Sequence, residues 1–291
     1  MAGSPGRRWR AREGKPTQKL DKKTVFQFSG ECATLCLLSP VFCPRPLFSI
    51  PSHRPQPANG APMCGRYVLK SSPQRLREVF GIEGPDTAHS EEWRPRYNLA
   101  PMQKAPIVRL LEGRRHLDLL QWGLIPSWAQ DPALGNRLIN ARSETAAEKP
   151  AFRAAFRSRR CIVPADGFYE WQQQPSGKQP FYIHRPDGQQ LAMAGLWEHW
   201  MPPGATEPLL TFTILTTEAN DVMRPLHDRM PVVLHEEDVA RWLDPTAKAA
   251  DLQALMRPLG DSALDAYPVG KAVGNVRNDG PALLESIDGT H

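Results

Sequence analysis

Three segments of the chain place polar side chains against apolar runs, where a plain core strand would carry none. They are LINARSET (138–145), DGFYEW (166–171) and HDRMPVVL (227–234). Each contains a residue type that can take part in chemistry near neutral pH: Asn140, Glu170 and His227. An amide orients a reacting group without adding charge, a carboxylate accepts or relays a proton, and an imidazole both gives and takes one.

Spacing within these segments also favours a shared cleft. Side chains at positions i and i+2 of a strand point to the same face, so His227 would align with Arg229, and Asn140 with Arg142. Each residue also has an ordinary structural explanation. Asn140 suits a turn or a cap, Glu170 suits the surface of an edge strand, and His227 suits a turn that precedes a strand.

Taken with five further blocks, these segments resemble one known protein family. The eight blocks are MCGRY (63–67), RYNLAP (96–101), WGLIPSWA (122–129), NARSET (140–145), RCIVPADGFYEW (160–171), AGLWE (194–198), TILTTEAN (213–220) and HDRMPVVL (227–234). In this order they resemble the SRAP family, the SOS-response-associated peptidase domain proteins, also described as abasic-site processing proteins. The resemblance runs from Cys64 to the late 280s. It implies a single α+β domain that binds single-stranded DNA and crosslinks to abasic sites in the DNA damage response.

The same resemblance implies particular site residues. It places the nucleophile at Cys64 and its catalytic partners at Asn140, Glu170 and His227. It also implies DNA contacts at five further positions, which are Arg66, Asn98, Trp122, Arg142 and Arg229. Trp128 is a second candidate, beside Trp122, for stacking on an unpaired base. No metal or other cofactor is expected.

The expected chemistry is capture of an aldehyde by an N-terminal cysteine. An abasic site opens to an aldehyde, which an amine captures as a Schiff base. Because amine and thiol lie on adjacent carbons, the sulfur then closes a five-membered thiazolidine ring. The ring carbon is no longer an imine, which suppresses strand cleavage by β-elimination. An α-amino group has a reference pKa of ~7.7–8.0, so it is the most usable amine near neutral pH.

In the chain as written, the Cys64 nitrogen is tied to Met63 by a peptide bond and cannot form this ring. Three hypotheses remain open: translation starts at Met63 and this methionine is removed; Cys64 cleaves its own upstream bond; or the upstream segment is retained and the protein does not crosslink. Residues 1–62 contain nine prolines and no sustained period. We therefore predict a disordered extension or a mis-assigned start, ahead of a domain at 63–291.

Charge is divided unevenly between these two parts. Residues 1–62 hold ten basic and three acidic side chains, whereas residues 63–291 hold 26 basic and 28 acidic ones. DNA binding by the second part would therefore depend on a local groove lined by arginines. Its two cysteines, Cys64 and Cys161, are typical of a reducing compartment. We expect a cytoplasmic monomer, nucleoid-associated in a bacterium, that binds single-stranded DNA containing abasic sites and no membrane.

Strand-like segments follow one another directly and do not alternate with helices as in βαβ units. The pattern predicts a mainly antiparallel sheet or barrel with flanking helices. SSPQRLREVFG (71–81) predicts a helix capped by Ser72 and ended by Gly81, and the segment 104–124 predicts a hairpin that turns at Glu112-Gly113. RPRYNLAP (94–101) is interpreted as a rigid loop.

Two other functions use the same residues. A cysteine peptidase would take Cys64 as thiolate, His227 as base and Asn140 or Glu170 as the orienting group, without needing a free amine. A non-catalytic reader of modified DNA bases would need the pocket but no covalent step.

Overall fold

A computed structural model provides the structure of the chain and describes residues 65–84 and 93–289. The predicted extension at 1–62 and the nucleophile Cys64 lie outside the described residues.

Thirteen strands and five α-helices are present in the described ranges, besides four short 3-10 helices. The strands are β1 Arg66–Leu69, β2 Arg96–Leu99, β3 Lys104–Leu111, β4 Arg114–Trp122, β5 Asn140–Arg142, β6 Arg160–Ala165, β7 Gly167–Gln174, β8 Gly177–His184, β9 Leu191–Trp200, β10 Leu209–Glu218, β11 Arg229–Pro231, β12 Val233–Leu234 and β13 Asp265–Pro268. The helices are α1 Pro73–Phe80, α2 Ser143–Ala146, α3 Arg153–Ser158, α4 Glu236–Leu243 and α5 Ala249–Leu255.

Five strands close on themselves to form a barrel. β10 pairs with β4, followed by β3, β6 and β9, and β9 returns to β10. All of these pairings are antiparallel except that between β10 and β4. Closure leaves no unpaired edge around the ring, so the apolar side chains inside it are shielded from water.

The barrel opens at the second half of β10. From Ile214 onward, β5 takes the place of β4 on one side of β10, in parallel pairing. On the other side β11 replaces β9, and β12 continues along β9 itself. The segment 229–234 is therefore inserted between two barrel strands that separate from each other. This opening brings the regions that follow Ile139 and His227 to the two sides of one strand.

A second, antiparallel sheet has the order β13-β8-β7-β1-β2. One face, with Tyr67 and Phe168, packs into the main core. The opposite face, with Val68 and Tyr169, packs against residues of the C-terminal part, including Val273. β1 and β7 are interior strands of this sheet, so both edges of each are hydrogen-bonded.

Local sequence signals account for several of these elements. Ser72 accepts a hydrogen bond from the Arg75 amide at the start of α1, and Gly81 ends this helix with a φ of 56°. Glu112 and Gly113 both have positive φ, as the tight turn between β3 and β4 requires. The interpretation of RPRYNLAP (94–101) as a rigid loop was wrong for Arg96–Leu99, which form β2. Pairing with β1 supplies the hydrogen bonds that make this short segment a strand.

The predicted α+β architecture, a mainly antiparallel barrel with flanking helices, is confirmed. Among the described helices, none has both the length and the apolar character needed to cross a membrane.

Trp122, at the end of β4, joins the two sheets. Its ring lies edge-on to Tyr67 of β1 at 5.3 Å between centroids and stacks on Phe212 of β10 at 6.2 Å. Its indole Nε1–H donates to the carbonyl of Ile139 at 2.9 Å. A side chain that is 1% exposed thus connects β1, β10 and the peptide that precedes Asn140.

Replacing Trp122 with phenylalanine keeps an aromatic ring but removes the indole donor. The Ile139 carbonyl loses its partner, so we expect a loss of about 1–3 kcal/mol in the free energy of unfolding. Urea denaturation followed by circular dichroism measures it. Trp128→Phe is the matched control, because Trp128 is 60% exposed and surface substitutions usually stay within ~0.5 kcal/mol. Equal denaturation midpoints for the two variants would contradict the role given to Trp122.

Candidate functional site

The pairing of β1 with β7 defines the first wall of the candidate site. Arg66 lies opposite Tyr169, and continuing this register by one residue brings Gly65 opposite Glu170. Side chains alternate between the faces of a sheet, so Glu170 and Arg66 point to opposite faces. Glu170 is 4% exposed on an interior strand, and its Oε1 accepts a hydrogen bond from the Trp171 amide at 3.0 Å. The alternative that Glu170 is a surface residue of an edge strand is therefore excluded.

Gln172 connects this wall to the segment that carries His227. It lies two residues beyond Glu170 on β7, so the two side chains share a face. Its Nε2 donates to the Pro225 carbonyl at 3.2 Å, two residues before His227. Glu170 and His227, which are distant in sequence, thus belong to neighbouring parts of the structure.

Nδ1 of His227 has two neighbours that favour different protonation states. The Arg229 amide donates to Nδ1 at 3.0 Å, which requires an unprotonated Nδ1 and places the proton of the neutral ring on Nε2. Oδ1 of Asp228 lies 2.8 Å from the same Nδ1 and would accept its proton in the imidazolium form. The His227 side chain is 21% exposed, so solvent or a substrate can reach it. This geometry suits a group that exchanges protons.

Asn140 and Arg142 occupy the opposite side of β10. Asn140 pairs with Ile214, and Arg142 pairs with Thr216, which in turn lies opposite Pro231 of β11. Strands in a sheet are ~4.8 Å apart, so β5 and β11 are separated by about 10 Å across β10. Asn140 and Arg142 lie on one face of β5, as the i and i+2 spacing predicts. Arg142 is exposed, and no hydrogen bond or ion pair engages its guanidinium within the described ranges.

Arg229 is engaged by protein groups. Its two Nη atoms donate to the two carboxylate oxygens of Glu144 at 2.6 and 2.9 Å, and Nη2 also donates to the Thr216 carbonyl at 2.6 Å. Partial burial raises the pKa of the Glu144 carboxyl, but the hydrogen bonds and charge of Arg229, helped by Arg142, outweigh this and hold it below its ordinary value. The ion pair joins α2 to β11.

Two of the five residues predicted to contact DNA are buried. Trp122 lies in the core as described above, and Asn98 is 0% exposed. Nδ2 of Asn98 donates to the carbonyls of Val273, Asn275 and Asn278 at 3.1, 3.1 and 2.9 Å. Neither side chain has surface to offer a ligand in this structure. Both side chains fill interior positions where they connect neighbouring elements. We therefore infer that they stabilise the fold around the site.

Arg66 is half-buried on the face opposite Glu170. Its Nη1 donates to the Gly65 carbonyl at 2.7 Å, and its Nε is buried without a hydrogen-bond partner among the described residues. Burial lowers the pKa of this guanidinium. A buried donor that lacks a protein partner can take an anionic group.

A groove of about 490 Å³ is lined by residues of the segment 128–137. Its lining includes Trp128 and Arg137, the latter only three residues before Asn140. The Trp128 side chain is 60% exposed, so its ring is open to solvent. An exposed indole and a guanidinium at one groove suit an unpaired base and its phosphate.

The structure thus places Asn140 and the segment after His227 on the two sides of β10, and Gln172 links the Glu170 strand to Pro225. Cys64 lies outside the described residues. Sequence reasoning missed the parts played by Gln172 and Glu144. The one sequence signal for Glu144 was its position in LINARSET (138–145), a segment with polar residues beside an apolar run.

The family model for SOS response associated peptidase (SRAP) matches residues 63–276. The chain belongs to the SRAP family. Its match covers the barrel, the second sheet and all of the residues around the open end of β10.

Named relatives of this SRAP protein occur in bacteria and vertebrates. Abasic site processing protein YoqW of Bacillus subtilis is 42% identical over 226 residues, which cover 77% of this chain and 100% of that protein. Abasic site processing protein HMCES of Xenopus tropicalis is 34% identical over 265 residues, covering 77% and 78%. A crystal structure of a Bacteroides thetaiotaomicron protein matches with a TM-score of 0.71 at 25% identity, covering 77% of this chain and 99% of that one.

Replacing Asn98 with alanine removes a buried amide whose two N–H groups are shared among three carbonyls. We expect a loss of about 2 kcal/mol in the free energy of unfolding, at ~1 kcal/mol for each N–H donor. Amide hydrogen exchange in residues 273–279 should speed up, because these bonds hold the segment against β2. Asn136→Ala is the control, since Asn136 is exposed. Unchanged exchange in that segment would show that other contacts hold it.

Proposed function

We propose that this SRAP protein processes abasic sites in single-stranded DNA by forming a thiazolidine crosslink at Cys64. The observation that carries the proposal is the register of β1 and β7, which, continued by one residue, puts Gly65, the residue after Cys64, opposite the buried Glu170. The names of the relatives support abasic sites as the substrate.

Covalent geometry supports Cys64 as the reacting residue. Consecutive Cα atoms lie ~3.8 Å apart, so a residue joined to Gly65 by a peptide bond reacts within a short reach of β1. Gly65 is buried where β1 begins. A free amine at residue 64 would therefore arise close to a carboxylate that can hold or accept its proton.

The proposed reaction balances without a co-reactant. The neutral amine adds to the aldehyde carbon of the opened sugar, and the carbinolamine loses one water to give a Schiff base. The thiol of Cys64 then adds across the carbon–nitrogen double bond, its proton passing to nitrogen. The net result is one thiazolidine and one water from one aldehyde and one aminothiol. Holding amine and thiol on one residue makes the second step intramolecular and favours ring closure.

Glu170, His227 and Asn140 would serve distinct steps. Glu170 accepts the amine proton and relays it during loss of water. His227, with its proton on Nε2 in the neutral form, donates to the sugar oxygen as the sugar ring opens. Asn140 orients the amine or the new ring without adding charge.

Arginines and Trp128 would hold the DNA strand. Arg142 is exposed and free to contact a phosphate, and Arg66 has a spare buried donor. Trp128 would stack on an unpaired base, a contact worth about 1–3 kcal/mol. Trp122 and Asn98 support the site from within rather than touching DNA.

A free amine at Cys64 requires removal of the upstream residues. The family match begins at Met63, which supports translation from this residue followed by loss of the methionine. Cysteine is small enough for that removal. Intact-mass spectrometry of the protein from its natural source would show whether the mature chain begins at Cys64.

The chain beginning at Cys64 should form a denaturation-resistant adduct with single-stranded DNA that contains an abasic site. Its mass should equal protein plus DNA minus one water. Cys64→Ala should form no thiazolidine, and Cys64→Ser should give at most a Schiff base that borohydride traps. The full chain from Met1, in which residue 64 is amide-linked, should form none. Equal adduct formation on undamaged DNA would falsify the mechanism.

Chemical blocking of the N-terminus separates this function from its alternatives. Crosslinking should stop, whereas a cysteine peptidase built on Cys64 and His227 would remain active. A non-catalytic reader of modified bases would bind its DNA with equal affinity before and after blocking, and would show no adduct in either state.

Glu170→Gln keeps the size of the side chain but removes its proton-accepting charge. We expect the rate of adduct formation to fall by about 10²–10⁴-fold, the usual contribution of a positioned general base. Binding of undamaged single-stranded DNA should not change. Glu207→Gln, on an exposed loop, is the control. If both variants crosslink at the wild-type rate, Glu170 does not handle the proton.

A further inference from the structure

Glu144 is a charged residue of the NARSET segment to which the proposed chemistry assigns no part. Its carboxylate lies at the start of α2, immediately after the strand that carries Asn140. Both carboxylate oxygens accept hydrogen bonds from Arg229, in the paired geometry that fixes a guanidinium in orientation as well as distance. Although Glu144 is half exposed, Arg229 is only 15% exposed, so the pair lies at the edge of the protein interior.

Arg229 is held at both its ends. The side chain also donates to the Thr216 carbonyl at 2.6 Å, which ties it to β10. Its backbone pairs with Glu218 of β10 as the first residue of β11. These contacts define the position of the Arg229 peptide more tightly than strand pairing alone would, since β11 is only three residues long.

The Arg229 peptide in turn sets the hydrogen bonding of His227. Its N–H donates to Nδ1 of His227 at 3.0 Å, which keeps Nδ1 unprotonated and the proton on Nε2. The competing neighbour is Asp228, whose carboxylate lies 2.8 Å from the same nitrogen. A small displacement of the Arg229 peptide would remove the donor and leave Nδ1 to Asp228.

We propose that Glu144 is a positioning residue that fixes the tautomer of His227 through Arg229. The ion pair with Glu144 fixes the Arg229 side chain, and the Arg229 amide donates to Nδ1 of His227. The proton of the neutral His227 ring is therefore on Nε2. The same contact couples the Asn140 segment to the His227 segment across β10. The hydrogen bonds from Glu144 through Arg229 to His227 do not depend on the crosslinking chemistry. The use of the His227 proton rests on the proposed function.

Nitrogen NMR of the histidine side chains tests this directly. The full chain is labelled with ¹⁵N-histidine and its long-range ¹H–¹⁵N spectrum is recorded at a pH where His227 is neutral, with His227→Gln identifying the signals. The wild-type protein should show His227 in a single tautomer with an unprotonated Nδ1. In Glu144→Ala both ring nitrogens should shift toward the averaged values of a free imidazole. Glu144→Gln, which keeps one acceptor oxygen, should fall between the two.

Glu148→Ala is the matched control, because Glu148 is an exposed acid four residues further along. It should leave the His227 spectrum unchanged. Arg229→Lys keeps the backbone N–H and the charge but loses the paired geometry, so it should resemble Glu144→Ala.

Binding of undamaged single-stranded DNA, measured by fluorescence anisotropy on the same full-length variants, separates the other explanation. If Glu144 merely competes with phosphates for Arg229, its removal will tighten DNA binding several-fold and leave the His227 spectrum unchanged. That result, or an unchanged spectrum in both Glu144 variants, overturns the proposal. Since the spectrum is recorded without DNA, this failure is distinct from a failure to crosslink.

Discussion

The candidate site depends on one constraint, which is that the two halves of strand β10 pair with different neighbouring strands. Its first half closes a five-stranded barrel with β9 and β4, and its second half pairs instead with β11 and β5. One continuous strand therefore serves both as part of the core and as the axis between two polar segments. The apolar burial that stabilises the barrel also fixes the separation of β5 and β11 across β10.

Electrostatics in the site is dominated by pairing rather than by net charge. Residues 63–291 carry a slight acidic excess, and Arg229 is neutralised by Glu144. Arg142 and Arg66, by contrast, keep donors that no protein group uses among the described residues. Arginines in a single site can thus have different physical roles.

Elements defined by neighbouring residues were predictable from the sequence. Ser72 and Gly81 bound α1, and Glu112-Gly113 turn the hairpin, because caps and tight turns depend on local backbone preferences. That Asn140, Glu170 and His227 serve one site was expected from resemblance and stays a prediction. Burial of Asn98 was not predictable, since its partners lie some 175 to 180 residues away. The same holds for the pair of Glu144 with Arg229, 85 residues apart, because nothing local signals such a contact.

β1 is an interior strand of its sheet, and this position affects the reactivity of a residue attached to its N-terminal end. Chain ends normally fray, because few contacts restrain them. β1 is only four residues long, yet neighbouring strands bind both of its edges, and Tyr67 packs beneath it on Trp122. A nucleophile attached directly to so firmly anchored a strand would lose little motional freedom on meeting its target, because most of that entropic cost was met when the protein folded.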